Sequence, residues 1–582
     1  MLECDLIMKG GITSGVVYPK AVTTIAKKYR LRDIGGTSAG AIAAVVAAAA
    51  EYRRQSGGGD AGYDEVENLA TELGPDMGSF FQPSPDTARL YGVFIAVVGR
   101  EQGRAQVSAA LIGVAKSYGV LAAAGGALAA GLLVLLLWGV GAGVGLGGGI
   151  AAVILFDVVA LTLIVLMLVR DLMRASRNSD FGLCPGKTQP GFEKPAITNW
   201  LADKIDFVAG RDVQGDPLTH GELRGFKINV ATMTTDLASR RPYQLPLLSK
   251  DHYFSKAEFD RLFPARVVEY LVRQGKRLKV SQPDVPDDLY QLPHGDDFPV
   301  ILTARFSLSF PGLFSAVPLW RHDRQLPKRD GQPQLARCLF SDGGISSNFP
   351  VHLFDAPLPR RPTFGIALAE WEQDRHGATR VFLPKRGSLS NSLPVRPPKG
   401  PLGFLGSILN TSKDWQDTLQ SLLPGTADRI VEIRLDKDME GGMNLKMQDD
   451  TVNQLIAFGE EAGQALVKTF DFDEHRWQRG LTFLPTMHEM LGSLNEAYGC
   501  EPYGTGAQAR DYASVLREYE PVSYGNNTRK WRKDVLEPYA RALADQGRSD
   551  GTGAGLADGK SLPNPDASVR LVADANRAPR RS

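Results

Sequence analysis

The stretch DIGGTSAGAIAAVVAAAA, Asp33–Ala50, sets Ser38 inside a GxSxG pattern with Gly36, Ala39 and Gly40 around it. A serine hydroxyl attacks a carbonyl carbon only when a base takes its proton and the chain presents it clear of its own backbone. A short apolar strand running straight into a helix supplies such a turn, and small neighbours keep it free of clashes. The first amides of the helix, beginning at Ala39, then face the negative charge that develops on the attacked oxygen. Ser38 is therefore expected to be the nucleophile of an acyl transfer.

Two other loops have matching chemistry. In MKGGITSGVVYP, Gly10, Gly11 and Gly15 follow an apolar strand, where backbone N–H groups can turn inward as an oxyanion hole. The same composition also suits a nucleotide phosphate cradle, but neither GxxxxGK[ST] nor GxGxxG is matched, Ile12 holding the middle position of the latter. In FSDGGISSNFP, Asp342 closes a strand and precedes Gly343 and Gly344. Partial burial beside a hydroxyl would raise the proton affinity of Asp342 enough to make it a base. An Asp-Gly pair also makes an ordinary turn. His352, further along the same segment, is the alternative base of a Ser-His-Asp arrangement. The other histidines, His220, His252, His294, His322, His376, His475 and His488, show no metal-ligand spacing.

The elements needed to position these residues alternate. LECDLIMKGG and YRLRDIGG read as strands, and AGAIAAVVAAAAEYRR as an Ala-rich helix. GFKINVATMTTDL, TFGIALA and DRIVEIRL read as further strands, VILTARFSLSFPGLF as a helix stopped near Pro311, and TVNQLIAFGEEAGQALVKTF as a helix. The order predicts an α/β sheet with both faces covered. RRPYQLPLLSKDHYFSK, rich in basic and aromatic residues, reads as a loop, either facing a membrane or solvated.

The Gly-rich loop, GGTSAGAIAA and SDGGISSNFPV, in that order, resemble the patatin-like phospholipases, and NVATMTTDL and RFSLSFPGLFSAVPL are similar to that family's middle strand and the segment before its aspartate. The resemblance implies a three-layer α/β/α fold and a Ser-Asp dyad without a catalytic histidine, metal or cofactor. Ser38 would be the nucleophile and Asp342 the base, with Gly10 and Gly11 in the oxyanion loop. The implied substrate is a membrane phospholipid or lysophospholipid. Ile12 and Ser14 stand where the family's loop has a third glycine and a basic residue.

Between the two halves of this motif lies a segment, Ser117 to Val169, whose only charged side chain is Asp157. It contains two apolar runs, about 120–140 and 150–169, each long enough to cross a bilayer core of about 30 Å as a helix. Arg100, Arg104 and Lys116 precede them, Arg170, Arg174 and Arg177 follow, and the Gly-rich turn between has no basic residue. The positive-inside rule then puts both flanks in the cytoplasm. Two crossings return the chain to its starting side, so Ser38 and Asp342 can still meet. Asp157, costly in lipid, is expected to pair locally, with the Trp138 indole for example.

The expected organisation is a patatin-like domain in two parts, 1–100 and 178–470, with an inserted hairpin at 101–177, a helical extension at 471–545 and a disordered tail at 546–582. A formal net charge of +1, with Lys and Arg dispersed, gives no electrostatic reason to expect a nucleic-acid partner. Cys4, Cys184, Cys338 and Cys500 share no metal-ligand spacing and read as free thiols.

Overall fold

The computed structural model describes residues 1–11, 14–73, 77–97, 104–140, 145–280, 282–329, 331, 333–384, 425–436, 439–441, 445, 447–500, 502, 509–520 and 529–548, with a few single positions between 395 and 411. Ile12, the middle of the Gly-rich turn between the apolar runs and the tail from residue 549 lie outside the described residues.

The strands are, in chain order, β1 (Leu2–Met8), β2 (Tyr29–Gly36), β3 (Gly182–Cys184), β4 (Asn229–Asp236), β5 (Arg241–Leu245), β6 (Tyr253–Ser255) and β7 (Leu289–Gln291). They continue as β8 (Gly312–Phe314), β9 (Val317–Asp323), β10 (Gln334–Asp342), β11 (Thr363–Glu370), β12 (Val381–Phe382) and β13 (Ile430–Leu435). One mixed sheet runs β12-β13-β11-β1-β2-β4-β10-β9-β6-β7, with β5 also paired to β4, while β3 and β8 pair separately. From β13 to β4 the strands are parallel. β10, β9, β6 and β7 extend that core in antiparallel pairings. The parallel strands are largely buried, with Leu6, Ile34, Val230, Ile366 and Ile433 fully so. Their carboxyl ends all point one way, which is where an α/β sheet carries its ligand sites.

Helices α1 (Tyr18–Ala26), α2 (Ala39–Arg53), α3 (Ala61–Leu73) and α7 (Ile197–Val208) pack around the core. The alanine run makes α2 a strong helix former with little bulk, so β2, α3 and α7 close in on it. Residues Ala44 to Glu51 of α2 are buried without a break. The helical segments of the C-terminal part include Asp449–Thr469, which packs on α1, and Phe472–Gly499. The basic-aromatic segment expected as a loop instead forms β5, a turn and β6, because it pairs with β4 on one side and with β7 and β9 on the other.

α4 (Ala88–Val97) leads into α5 (Arg104–Gly139) and α6 (Leu146–Asn178), which pack against each other and extend beyond the apolar runs at both flanks. Both are long and apolar enough to cross a membrane. Their contact needs small residues: a Cβ on Gly126 would stand 2.8 Å from the Phe156 carbonyl oxygen. Leu132, Leu135, Leu136, Val153, Ile154 and Leu161 all point outward and are exposed. At the polar end, Tyr118 Oη donates to Asp171 Oδ2 at 3.2 Å, tying the two helices. Asp157 is exposed on α6, and the expected bond from Trp138 does not form. Trp138 closes α5 near the hairpin turn, whereas Asp157 lies about three helical turns into α6, out of reach of the indole.

Candidate active site

Register along β4 sets the ends of β2 and β10, which carry Ser38 and Asp342, on either side of that strand. Gly36 at the end of β2 pairs with Thr232, and Asp342 at the end of β10 pairs with Thr234. Two residues of strand span about 7 Å, so the two termini approach each other from opposite directions along the same strand. The next residues touch: a Cβ on Gly343 would lie 2.8 Å from Thr37 Cγ2 and 2.0 Å from the Met233 carbonyl oxygen. Thr37 Oγ1 also donates to the Ser347 carbonyl at 3.2 Å.

Ser38 has φ 54° and ψ −123°, a backbone state that costs a non-glycine residue of order 1–3 kcal/mol and persists only where the surroundings enforce it. The surroundings here are tight. A Cβ on Gly36 would stand 2.5 Å from Gly40 backbone atoms, and one on Gly40 would stand 2.3 Å from the Met8 carbonyl oxygen. Both glycines of the motif are thus required by close approach of β1, β2 and α2. The Ser38 N–H donates to Ser307 Oγ at 3.1 Å.

Ser307 ends the helix Val300–Ser307, and the loop that follows holds the second residue of the pair. The Ser309 carbonyl accepts from the Asp342 N–H at 2.9 Å and from Ser341 Oγ at 2.8 Å. Asp342 is buried, and its Oδ1 accepts from the Gly344 N–H at 2.6 Å. Arg305 pins this loop from within the core, donating to Ser309 Oγ at 2.6 Å and to the Pro185 and Ser315 carbonyls at 2.9 and 3.0 Å. Burial lowers the Arg305 guanidinium to about 10, which leaves it charged at neutral pH. Ser307, Ser309 and Arg305 were not singled out from sequence. Their signal was two serines at alternate positions inside RFSLSFPGLF.

Two of the amides expected in the oxyanion hole carry other hydrogen bonds. The Gly10 N–H donates to the Asn348 carbonyl at 2.8 Å. The Gly11 carbonyl oxygen accepts from the Ala39 N–H at 3.2 Å and from the Ser38 hydroxyl at 3.3 Å. It therefore occupies the position that an attacked carbonyl oxygen would need. Gly15 opens the short turn Ser14–Val17, with a Cβ position 3.0 Å from Ala39 Cβ. Gly344 lies beside Asn348, 2.9 Å from its Oδ1 at the Cβ position. His352 sits on the turn Val351–Leu353, half-buried. Among the described residues no group of three or more His, Cys, Asp or Glu side chains forms a metal site.

Ser38 also lines a narrow cleft. Its walls are almost wholly apolar: Ala39, Ile42 and Val46 of α2, Val66, Leu69 and Leu73 of α3, and Phe80, Phe81, Trp200 and Phe314 further in. Cys4, Cys184 and Cys338 are buried free thiols, and Cys500 is an exposed one.

No family model matches the chain. A chain of the solved structure of VipD from Legionella pneumophila aligns over 96% of this chain and 89% of its own, at 12% identity and a TM-score of 0.28, a likeness too slight to bear on fold or function. The uncharacterized protein YqhO of Bacillus subtilis (strain 168) is 26% identical over 190 residues, 32% of this chain and 53% of that protein. The RpoH suppressor of Rhizobium meliloti (strain 1021) is 34% identical over 592 aligned residues, covering 89% of each chain. A match of that identity over 89% of each chain makes this chain a member of the RpoH suppressor's family.

Proposed function

We propose that this chain is a membrane-anchored serine acyl hydrolase with a patatin-like three-layer domain, acting on the fatty-acyl esters of phospholipids or lysophospholipids. The observation that carries the reading is a strained, buried serine at an apolar cleft, with Gly343, the neighbour of Asp342, packed against Thr37 beside it.

In this reading the acyl chain lies in the cleft between α2 and α3, and its ester carbonyl rests at Ser38. Apolar burial of the chain supplies binding at roughly 0.8 kcal/mol per methylene. The Gly11 carbonyl first swings away, freeing both the Ser38 hydroxyl and the Ala39 N–H. Asp342 takes the hydroxyl proton as Ser38 Oγ bonds to the carbonyl carbon, and the carbonyl π pair moves onto oxygen. The Ala39 N–H and the Gly11 N–H stabilise that charge, and the Gly10 N–H joins them once it leaves the Asn348 carbonyl. Collapse expels the alcohol, which leaves with the proton from Asp342. Water, deprotonated by the same carboxylate, then attacks the acyl-enzyme and releases the fatty acid. The hairpin would hold this site at the cytoplasmic face of the membrane, where acyl chains are concentrated, with the basic flanks inside.

The position of the Gly11 carbonyl favours a second reading, in which the fold is a membrane scaffold or sensor without turnover. A serine hydrolase of a non-lipid ester is a third. Labelling with a fluorophosphonate separates the classes. The first and third readings predict covalent labelling of the wild type and none of Ser38→Ala; equal labelling of the two proteins contradicts them both.

A further inference from the structure

Away from Ser38, a polar pocket opens where β5, the β5–β6 turn and the end of β9 converge. Arg241, Arg321 and Arg324 all line it. Among the described residues none of the three makes an ion pair, although most other arginines packed on the sheet do. Two of them are held together by one tyrosine. The Arg241 guanidinium lies 4.1 Å from the centroid of the Tyr243 ring, and Arg321 donates to Tyr243 Oη at 2.9 Å. Holding two guanidinium groups side by side costs energy unless an anion joins them.

The inner wall is His252, 3% exposed. Its ring packs edge-on against Tyr243 and Phe340, both at 5.7 Å, and neither ring nitrogen has a hydrogen-bond partner. Arg241 Nε is likewise buried without a partner. An unpartnered buried polar atom costs about 1–3 kcal/mol until water or a ligand satisfies it, and at His252 both ring nitrogens stand open together. Two carboxylates share the lining with the three arginines: Asp251, which accepts from Ser249 Oγ, and Asp323, which accepts from the Gln325 N–H. Asp236 accepts from the Ala238 N–H and Ser239 Oγ.

We infer that this pocket binds a phosphate-bearing ligand, its anion bridging Arg241 and Arg321 with His252 beneath and Arg324 at the rim. A planar guanidinium pair matches phosphate oxygens in geometry as well as charge. The chemistry is common to a free phosphate and to a phosphomonoester lipid headgroup. The site is independent of acyl transfer at Ser38.

The test uses the full chain in detergent, in a Ser38→Ala background so that lipid is not consumed. Thermal unfolding is followed against inorganic phosphate, with sodium chloride matched for ionic strength, and separately against a short-chain phosphatidic acid. Saturable stabilisation by phosphate identifies a free anion, and stabilisation by the lipid alone identifies a headgroup. In either case Arg241→Gln/Arg321→Gln should weaken the apparent affinity by roughly tenfold to a hundredfold. If that double variant does not fold, the exposed Arg324→Gln takes its place, with about a threefold or greater loss expected. Absence of a specific response to both probes, or a response unchanged by the arginine substitutions, overturns the inference.

Discussion

Helices α2 and α6 are both apolar around their whole circumference, yet they meet opposite surroundings. α2 is walled in by β2, α3 and α7, and a buried face is found on every side of its middle turns. α6, more than twice as long, buries only Ala152, Asp171 and Ala175 and turns Val153, Ile154, Leu161 and Leu166 outward. A helix without a polar face must be covered by protein or by lipid. The small alanine side chains of α2 let a sheet and two helices close over it. The leucines of α6 stay exposed, and their hydrophobicity is left for another apolar medium.

This contrast can be broken at its tightest point first. Gly40→Ala places a methyl group against the Met8 carbonyl at the start of α2, where only backbone could yield. We expect a loss of about 3 kcal/mol or more, seen as a lowered unfolding midpoint and loss of fluorophosphonate labelling. A variant that melts with the wild type would show that α2 is not clamped.

Leu161→Arg probes the other helix. On a water-exposed surface the change would be near neutral. In a bilayer centre it costs about 3–4 kcal/mol when the loss of leucine is added to the gain of arginine. Resistance of the protein to alkaline extraction from membranes should fall sharply, and unchanged extraction would mean that lipid does not cover α6.

Two buried histidines near the sheet sharpen the account of the covered region through pH. Burial lowers His220 to about 3 and His252 to about 4, with a smaller push from Arg224 and Arg321 respectively. His220 Nε2 shares a 2.7 Å hydrogen bond with Thr303 Oγ1 in the helix that leads to Ser307. The unfolded chain takes up protons near pH 6.5 and the folded chain does not, so this stability is complete above pH 6.5 and is lost as pH falls toward the folded values. By pH 4.5 the loss from His220 alone is about 2–3 kcal/mol. His220→Gln should flatten the fall in unfolding free energy between pH 6.5 and 4.5; an equally steep fall would assign it to other groups. The smallest effect is expected for Ser307→Ala, which removes the acceptor of the Ser38 N–H. About 1–2 kcal/mol of stability should go, with a larger proportional loss of labelling rate than of stability if Ser307 holds the nucleophile in place.

Legibility in the sequence followed locality. β1, β2 and α2, with Ser38 between them, could be read because strand, turn and helix are neighbours in the chain and each has its own pattern. The two apolar helices were plain from length and composition. The pairing of Ser38 with Asp342 was suggested by resemblance to a known family. The approach of their strand ends depends on the register of β2 and β10 against β4, which no local pattern encodes. The antiparallel strands β5, β6, β7 and β9 were missed because they are short, interrupted by Pro and Arg, and stabilised by partners remote in sequence. Arg241, Tyr243 and His252 were therefore visible as a basic-aromatic segment but not as one wall of a pocket. The Gly11 carbonyl could not be foreseen, since the same glycines that permit an oxyanion loop permit the opposite peptide orientation.

The central claim is that Ser38 and Asp342 act together on an acyl ester at the membrane. Its most direct test is fatty-acid release from phospholipid and lysophospholipid vesicles by the purified protein, compared with Ser38→Ala and Asp342→Asn at equal folded concentration. The account predicts turnover by the wild type and a fall of roughly a thousandfold or more in both variants, with their unfolding midpoints preserved. Turnover retained by either variant, or none from the wild type once Gly11 is free to move on a lipid surface, would contradict it.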